Sequence, residues 1–102
     1  MAGTRTSLTE SMFYVLLALR SGPKFGVEIS SYVDEKTKGE TMLGPATLYT
    51  ILGKFEKEKY IQEISVEARK RTYQLTAKGL KAYRDEVNRL RRLVADAESE
   101  GV

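Results

Sequence analysis

Two of the most versatile side chains in protein chemistry are missing here: the 102 residues include no cysteine and no histidine. Without cysteine there is no disulfide framework and no thiolate chemistry, which suits a reducing compartment. Without histidine the commonest general base near neutral pH and the commonest nitrogen ligand for metals are lost. Structural zinc, Ser-His triads and Cys-His pairs are therefore excluded. A site made of carboxylates alone stays open, but Asp and Glu are scattered among Lys and Arg on polar faces, where charged residues are ordinarily solvated. No glycine-rich phosphate loop is present either, so an enzyme is not expected, and neither is a metal or a cofactor. Long apolar runs are also lacking. The most apolar stretch, Met12 to Leu19, falls well short of the ~20 residues a bilayer span requires. It follows Glu10 and has neither the basic start nor the small-residue cleavage pattern of a secretion signal. A cytoplasmic protein with no membrane partner is the expectation.

What is present is ordinary globular material, 41% hydrophobic and 30% charged. The length suits one domain with an appended helix. The net charge of +3 leans only mildly towards a polyanionic partner, so placement of the charges matters more than their sum. Residues 1–6 are small and polar and are expected to fray. Ser7 and Glu10 have capping-box spacing. Leu8, Met12, Val15, Leu16 and Leu19 then recur at helical intervals, with Phe13, Leu17 and Ala18 on a second side, predicting a helix over about 9–20 that is buried on two sides. Ser21-Gly22-Pro23 stops it. A second helix is expected from near Lys24 to Gly39, with Phe25, Ile29, Tyr32 and Val33 on one face. Gly44-Pro45 opens a third, because proline at the first helical position loses no needed amide. Leu48, Ile51, Leu52 and Phe55 form its core stripe, while Tyr49, Thr50, Gly53, Lys54 and Lys57 lie away from it.

Tyr60 to Val66 and Thr72 to Thr76 read as a strand pair. The intervening Glu67-Ala68-Arg69-Lys70-Arg71 has no Asn-Gly or Asp-Gly, which predicts a turn looser than two residues. Thr76 caps a last helix over about 77–98. Its apolar positions, Leu80, Tyr83, Val87, Leu90, Val94 and Ala97, alternate at intervals of three and four, a coiled-coil seam. A helix of ~22 residues is ~33 Å long, more than the preceding domain needs. Leu90 and Val94 would be wet unless a partner covers them, and burial of such side chains is worth roughly 1.5–3 kcal/mol each. Self-association through this seam is the expected resolution.

The order of these elements is that of a winged helix-turn-helix: a helix for the major groove, followed by a cationic hairpin. On the third helix Pro45, Ala46, Thr47, Tyr49, Thr50 and Lys54 are candidates for DNA contact, through the helix N-terminus, hydroxyls and side chains reaching base edges. Thr47 has the alternative of being an early-turn cap, and Tyr49 that of packing its ring on the second helix. Arg69, Lys70 and Arg71 form the only run of three cations. In isolation such a triplet reads as solvated surface. At a hairpin tip after a helix-turn-helix it reads as a phosphate clamp or a minor-groove probe. Tyr73 and Leu75 alternate inward and read as core.

With those pieces in place, the sequence resembles the PadR family of bacterial transcriptional regulators. The resemblance is carried by Lys24-Phe25-Gly26-Val27-Glu28-Ile29, Ala46-Thr47-Leu48-Tyr49, Phe55-Glu56-Lys57-Glu58 leading to Tyr60-Ile61, and Arg71-Thr72-Tyr73-Gln74-Leu75-Thr76-Ala77-Lys78-Gly79. It spans about residues 8–80. Departures from the family pattern fall at Val27, where a second aromatic is usual, at Ala46 and Thr50, where Gly and Pro are frequent, and at Lys59, where Gly commonly ends the helix. A left-handed Lys59 would cost roughly 1–2 kcal/mol. The resemblance implies a mainly α fold with a small β-hairpin (α+β): a winged helix-turn-helix over 1–76 and a dimerisation helix over 77–102. It implies a homodimeric repressor of a pseudo-palindromic operator on double-stranded DNA. It also implies an alternative, a regulator that takes a flat aromatic effector between subunits, lined by Phe13, Tyr14 and Tyr83, although no tryptophan is present to stack such a ligand. A winged-helix protein-interaction module is the remaining rival.

Overall fold

The computed structural model describes residues 8–102. In chain order they form α1 (Glu10–Arg20), β1 (Lys24–Phe25), α2 (Gly26–Thr37), α3 (Pro45–Lys57), β2 (Ile61–Glu67), β3 (Lys70–Leu75) and α4 (Ala77–Ser99). The three strands make one antiparallel sheet in the order β1-β3-β2. The expected class, helices with a small β element, is the observed one.

One core holds the helices to the sheet. Val15, Leu16 and Ala18 of α1, Ile29 and Val33 of α2, and Leu48, Leu52 and Phe55 of α3 are all but sealed from solvent, with Ile61 and Tyr73 closing it from the strands. The stripe expected on α3 is therefore the buried one. Gly44 and Pro45 open that helix as expected. Its end is a Schellman motif: Tyr60 N–H donates to Phe55 O at 2.9 Å and Lys59 N–H to Glu56 O at 3.1 Å, while the Phe55 and Tyr60 rings meet at 5.6 Å. The motif puts its penultimate residue in the left-handed region, and Lys59 has φ 67°. The strain that the sequence makes conditional is present.

Several expectations are corrected. Ser7 lies outside the described residues, and the α1 cap is Thr9, whose Oγ1 accepts from Met12 N–H at 3.1 Å. Glu10 accepts instead from the Thr41 hydroxyl at 2.8 Å. The fraying expected of residues 1–6 also falls outside the described residues. Lys24 and Phe25 do not start the second helix: they pair with Tyr73 and Thr72 as a short strand, so the sheet has three strands where the sequence suggests two. The wing turn is also tighter than expected. Glu67 pairs with Lys70, leaving Ala68 and Arg69 alone in the turn, with φ 49° and 68°. Positive φ at both central residues is the type I′ signature, whose twist matches that of the strands. Strand geometry thus overrides the poor local fit of Ala and Arg. Finally, β2 buries only Ile61. Ile64, at an irregularity between Glu63 and Ser65, and Val66 beyond it stay exposed.

Thr76 ties the sheet to α4. Its Oγ1 accepts from Gly79 N–H at 3.0 Å and donates to Lys59 O at 2.6 Å, and its backbone N–H donates to Tyr60 O at 2.9 Å. Here a glycine is required by proximity: a Cβ on Gly79 would lie 2.1 Å from Tyr60 O. Further along α4, the buried Glu86 carboxylate is met by Arg89 through both Nε and a terminal nitrogen.

Candidate nucleic-acid interface

With its apolar stripe committed to the core, α3 can present only one face. Pro45, Ala46, Thr47, Tyr49, Thr50, Gly53, Lys54 and Lys57 are all exposed. Thr50 and Lys54 are one turn apart, so their side chains share that face. The α3 N-terminus has no side-chain cap and no acidic residue in its first turn, so its unpaired amides and partial positive charge face outward. By contrast, the start of α2 is occupied: Phe25 N–H donates to Glu28 Oε1 at 3.0 Å. Thr47 does not cap α3, because the cap position is Gly44. Tyr49 packs on α2 without being buried. Its ring leans on α2, where a Cβ on Gly26 would meet the phenol oxygen at 2.8 Å, yet the residue is 56% exposed.

The tertiary structure brings Tyr49 to the wing. Tyr49, Gly26 and Val27 line one side of a cleft whose other side is Arg69, Lys70 and Arg71. The three cations are not equivalent. Arg69 sits in the turn. Lys70 Nζ lies 4.8 Å from the Phe25 ring centroid. Arg71 Nε is 3.7 Å from Glu63 Oε1, both side chains being partly exposed, a geometry worth little in water. At the cleft wall Tyr73 is buried, and burial pushes its phenol above the usual value near 10. Glu56 adds to that rise and Arg71 partly opposes it. Lys24, the other cation near β1, is used internally. Its Nζ donates to Ala18 O at 2.9 Å at the α1 C-terminus and lies over the Tyr32 ring at 5.1 Å.

The second surface lies on α4. Leu80, Tyr83 and Val87 are half-buried, with Tyr83 stacked on Phe13 of α1 at 5.5 Å and 20°. Tyr14 meets Phe13 edge-on at 5.9 Å, and the Arg20 guanidinium lies over the Tyr83 ring at 5.5 Å. Phe13, Tyr14 and Tyr83 are thus one half-buried aromatic cluster. Beyond it, Leu90 and Val94 are 38% and 56% exposed, and Ala97 is exposed too. Leu93, outside the expected seam because it breaks the three-four spacing, is 46% exposed and widens the apolar strip. Among the described residues no three acidic side chains gather as a metal site, and no helix is long and apolar enough to cross a membrane.

An α–β–α–α–β–β core with an exposed third helix beside a basic hairpin is a winged helix. The profile of the transcriptional regulator PadR-like family matches residues 15–85, and the chain belongs to that family, one of DNA-binding transcriptional regulators and not of enzymes. It is similar to the solved structure of a transcriptional regulator from Clostridium thermocellum, with 28% identity, TM-score 0.77 and coverage of 90% of this chain and 89% of that one. A PadR family transcription regulator from Clostridium difficile R20291 shares the fold at TM-score 0.77 with 16% identity, over 92% of this chain and all of the other. RosR of H. salinarum does so at TM-score 0.69 with 20% identity, over 91% and 96%. No curated protein matches the chain.

Proposed function

We propose that this regulator is a homodimeric repressor of a pseudo-palindromic operator, working in the cytoplasm. The observation that carries the reading is the cleft at which Tyr49 of α3 faces Arg69, Lys70 and Arg71 of the wing. It joins the exposed face of α3 to the cationic turn, a helix for the major groove beside a hairpin for the backbone or minor groove. Pro45, Ala46 and Thr47 bring the uncapped end of α3 to phosphate, while Thr50 and Lys54 reach base edges. The outer half of α4 supplies the two-fold: Leu90, Leu93 and Val94 are more than a third exposed and extend the half-buried Leu80, Tyr83 and Val87. Two α3 helices would then enter successive major grooves about 34–36 Å apart, and repression follows from occlusion of polymerase. An aromatic effector would have to open the Phe13–Tyr83 stack.

The DNA reading is tested by Arg69→Gln with Arg71→Gln. Binding should weaken on all duplexes and its salt dependence should flatten, whereas Thr50→Ala or Lys54→Ala should change preference among sequences. An unchanged salt slope in the wing variant removes the wing from the phosphate contacts. Leu90→Asp should give monomers in ultracentrifugation, and a persistent dimer refutes the seam. A wild-type dimer without affinity for duplex DNA at low salt would favour a protein-interaction module.

A further inference from the structure

The wing outruns the sheet that carries it. β1 reaches only to Phe25 opposite Thr72, so beyond that point Val66–Arg71 and Glu67–Lys70 pair with each other alone. Residues 62–71 are all exposed, and a bare two-stranded hairpin is marginally stable in water. The irregularity between Glu63 and Ser65 adds a point at which the strand can bend. Something must hold the outer hairpin at one angle to α3 if it is to meet the same DNA as that helix.

Lys70 is placed to do so. It lies two residues from Thr72, hence on the same sheet face as the Thr72 side chain. From there its ammonium reaches the Phe25 ring at 4.8 Å, inside the range of a cation–π contact. Phe25 is a fixed anchor, paired in the sheet and bonded to Glu28 at the start of α2. Arg71 projects from the opposite face, towards Glu63, and cannot take over the contact. We propose that Lys70 is a positioning residue: it clamps the outer hairpin onto Phe25 and sets the wing angle, leaving Arg69 in the turn to meet the DNA. The proposal rests on the DNA-binding reading above.

The test compares Lys70→Gln, Lys70→Arg, Phe25→Leu and the Phe25→Leu/Lys70→Gln double variant, in the full chain, on a random-sequence duplex across a salt series. Phe25→Leu and Lys70→Gln should each weaken binding about two- to fivefold, the double variant no more than either. Lys70→Arg should bind like the wild type, since guanidinium also stacks on a ring. The salt slope should stay at the wild-type value throughout. A slope lower by about one phosphate in Lys70→Gln, with Phe25→Leu binding normally, would overturn the proposal and make Lys70 a direct contact. A readout free of DNA separates this from failure of the functional reading. The Lys70 ε-methylene protons should show a ring-current upfield shift in the NMR spectrum that Phe25→Leu abolishes, with faster hydrogen exchange of wing amides in both single variants. Unshifted protons and unchanged exchange would overturn the clamp, while intact NMR signatures in a wild type that binds no duplex would leave the clamp standing and sink the DNA reading instead.

Discussion

Helix α3 and the wing offer the two candidate DNA surfaces, and they are held in opposite ways. Every third or fourth residue of α3 is sunk in the core through Leu48, Ile51, Leu52 and Phe55, so the aim of its outer face is set by close packing. The outer wing buries nothing and is aimed by local geometry: a two-residue turn, an irregular strand and the Lys70–Phe25 contact. A recognition surface backed by the core can change its exposed residues without losing its direction. One held by surface contacts loses direction when a single contact goes, while the fold survives.

That contrast predicts a graded series. Phe55→Ala should cost about 3–5 kcal/mol in chemical denaturation, whereas Val66→Ala on the wing should stay within about 0.5 kcal/mol; comparable losses would mean the wing is part of the core. Gly79→Ala comes next. Its Cβ would collide with the Tyr60 carbonyl just before β2, and overpacking of that kind costs about 1–3 kcal/mol, read as a lower melting temperature. Two changes should stabilise. Lys59→Gly relieves left-handed strain of about 1–2 kcal/mol against a glycine entropy cost of about 0.5–1 kcal/mol, a net gain of roughly 0.5–1 kcal/mol by thermal melting. Gly53→Ala should gain a similar ~0.5–1 kcal/mol, because nothing lies within 4 Å of the new methyl. If α3 lies deep in a groove, that gain should come with weaker duplex binding, and unchanged affinity would place Gly53 away from the DNA.

The smallest effect concerns Tyr73. Its phenol is raised above the ordinary value near 10, chiefly by burial. The folded state therefore favours the neutral phenol. That stability is fully present below pH ~10, the unfolded value, and is lost as pH rises through the higher folded value. Denaturation series between pH 9 and 11 should show this decline, and Tyr73→Phe should remove it.

Local chemistry was enough to read α3 and α4. Gly44-Pro45 starts one and Thr76 the other, and on α3 the apolar spacing names the buried face before any neighbour is known. Strand β1 could not be read that way. Two residues carry no periodicity, and Lys24 and Phe25 become a strand only because β3, far along the chain, lies beside them. The tight turn is hidden from the sequence for a related reason: Ala68 and Arg69 have no intrinsic preference for positive φ, and the twist of the paired strands imposes it. A strict three-four seam leaves out Leu93, although the exposed strip of α4 includes it.

The basic triplet shows the same division. Sequence alone establishes that Arg69, Lys70 and Arg71 stand together in one hairpin, after a helix whose exposed face carries Tyr49, Thr50 and Lys54. It cannot say that Lys70 rests on Phe25, that Arg71 leans to Glu63, or that Tyr49 shares their cleft on a seat left open by Gly26. Periodicity and capping are properties of a few neighbouring residues, and so they are written along the chain. Which side chains meet across the β1–β3 pairing depends on distant segments docking on one core, and only the tertiary structure decides that.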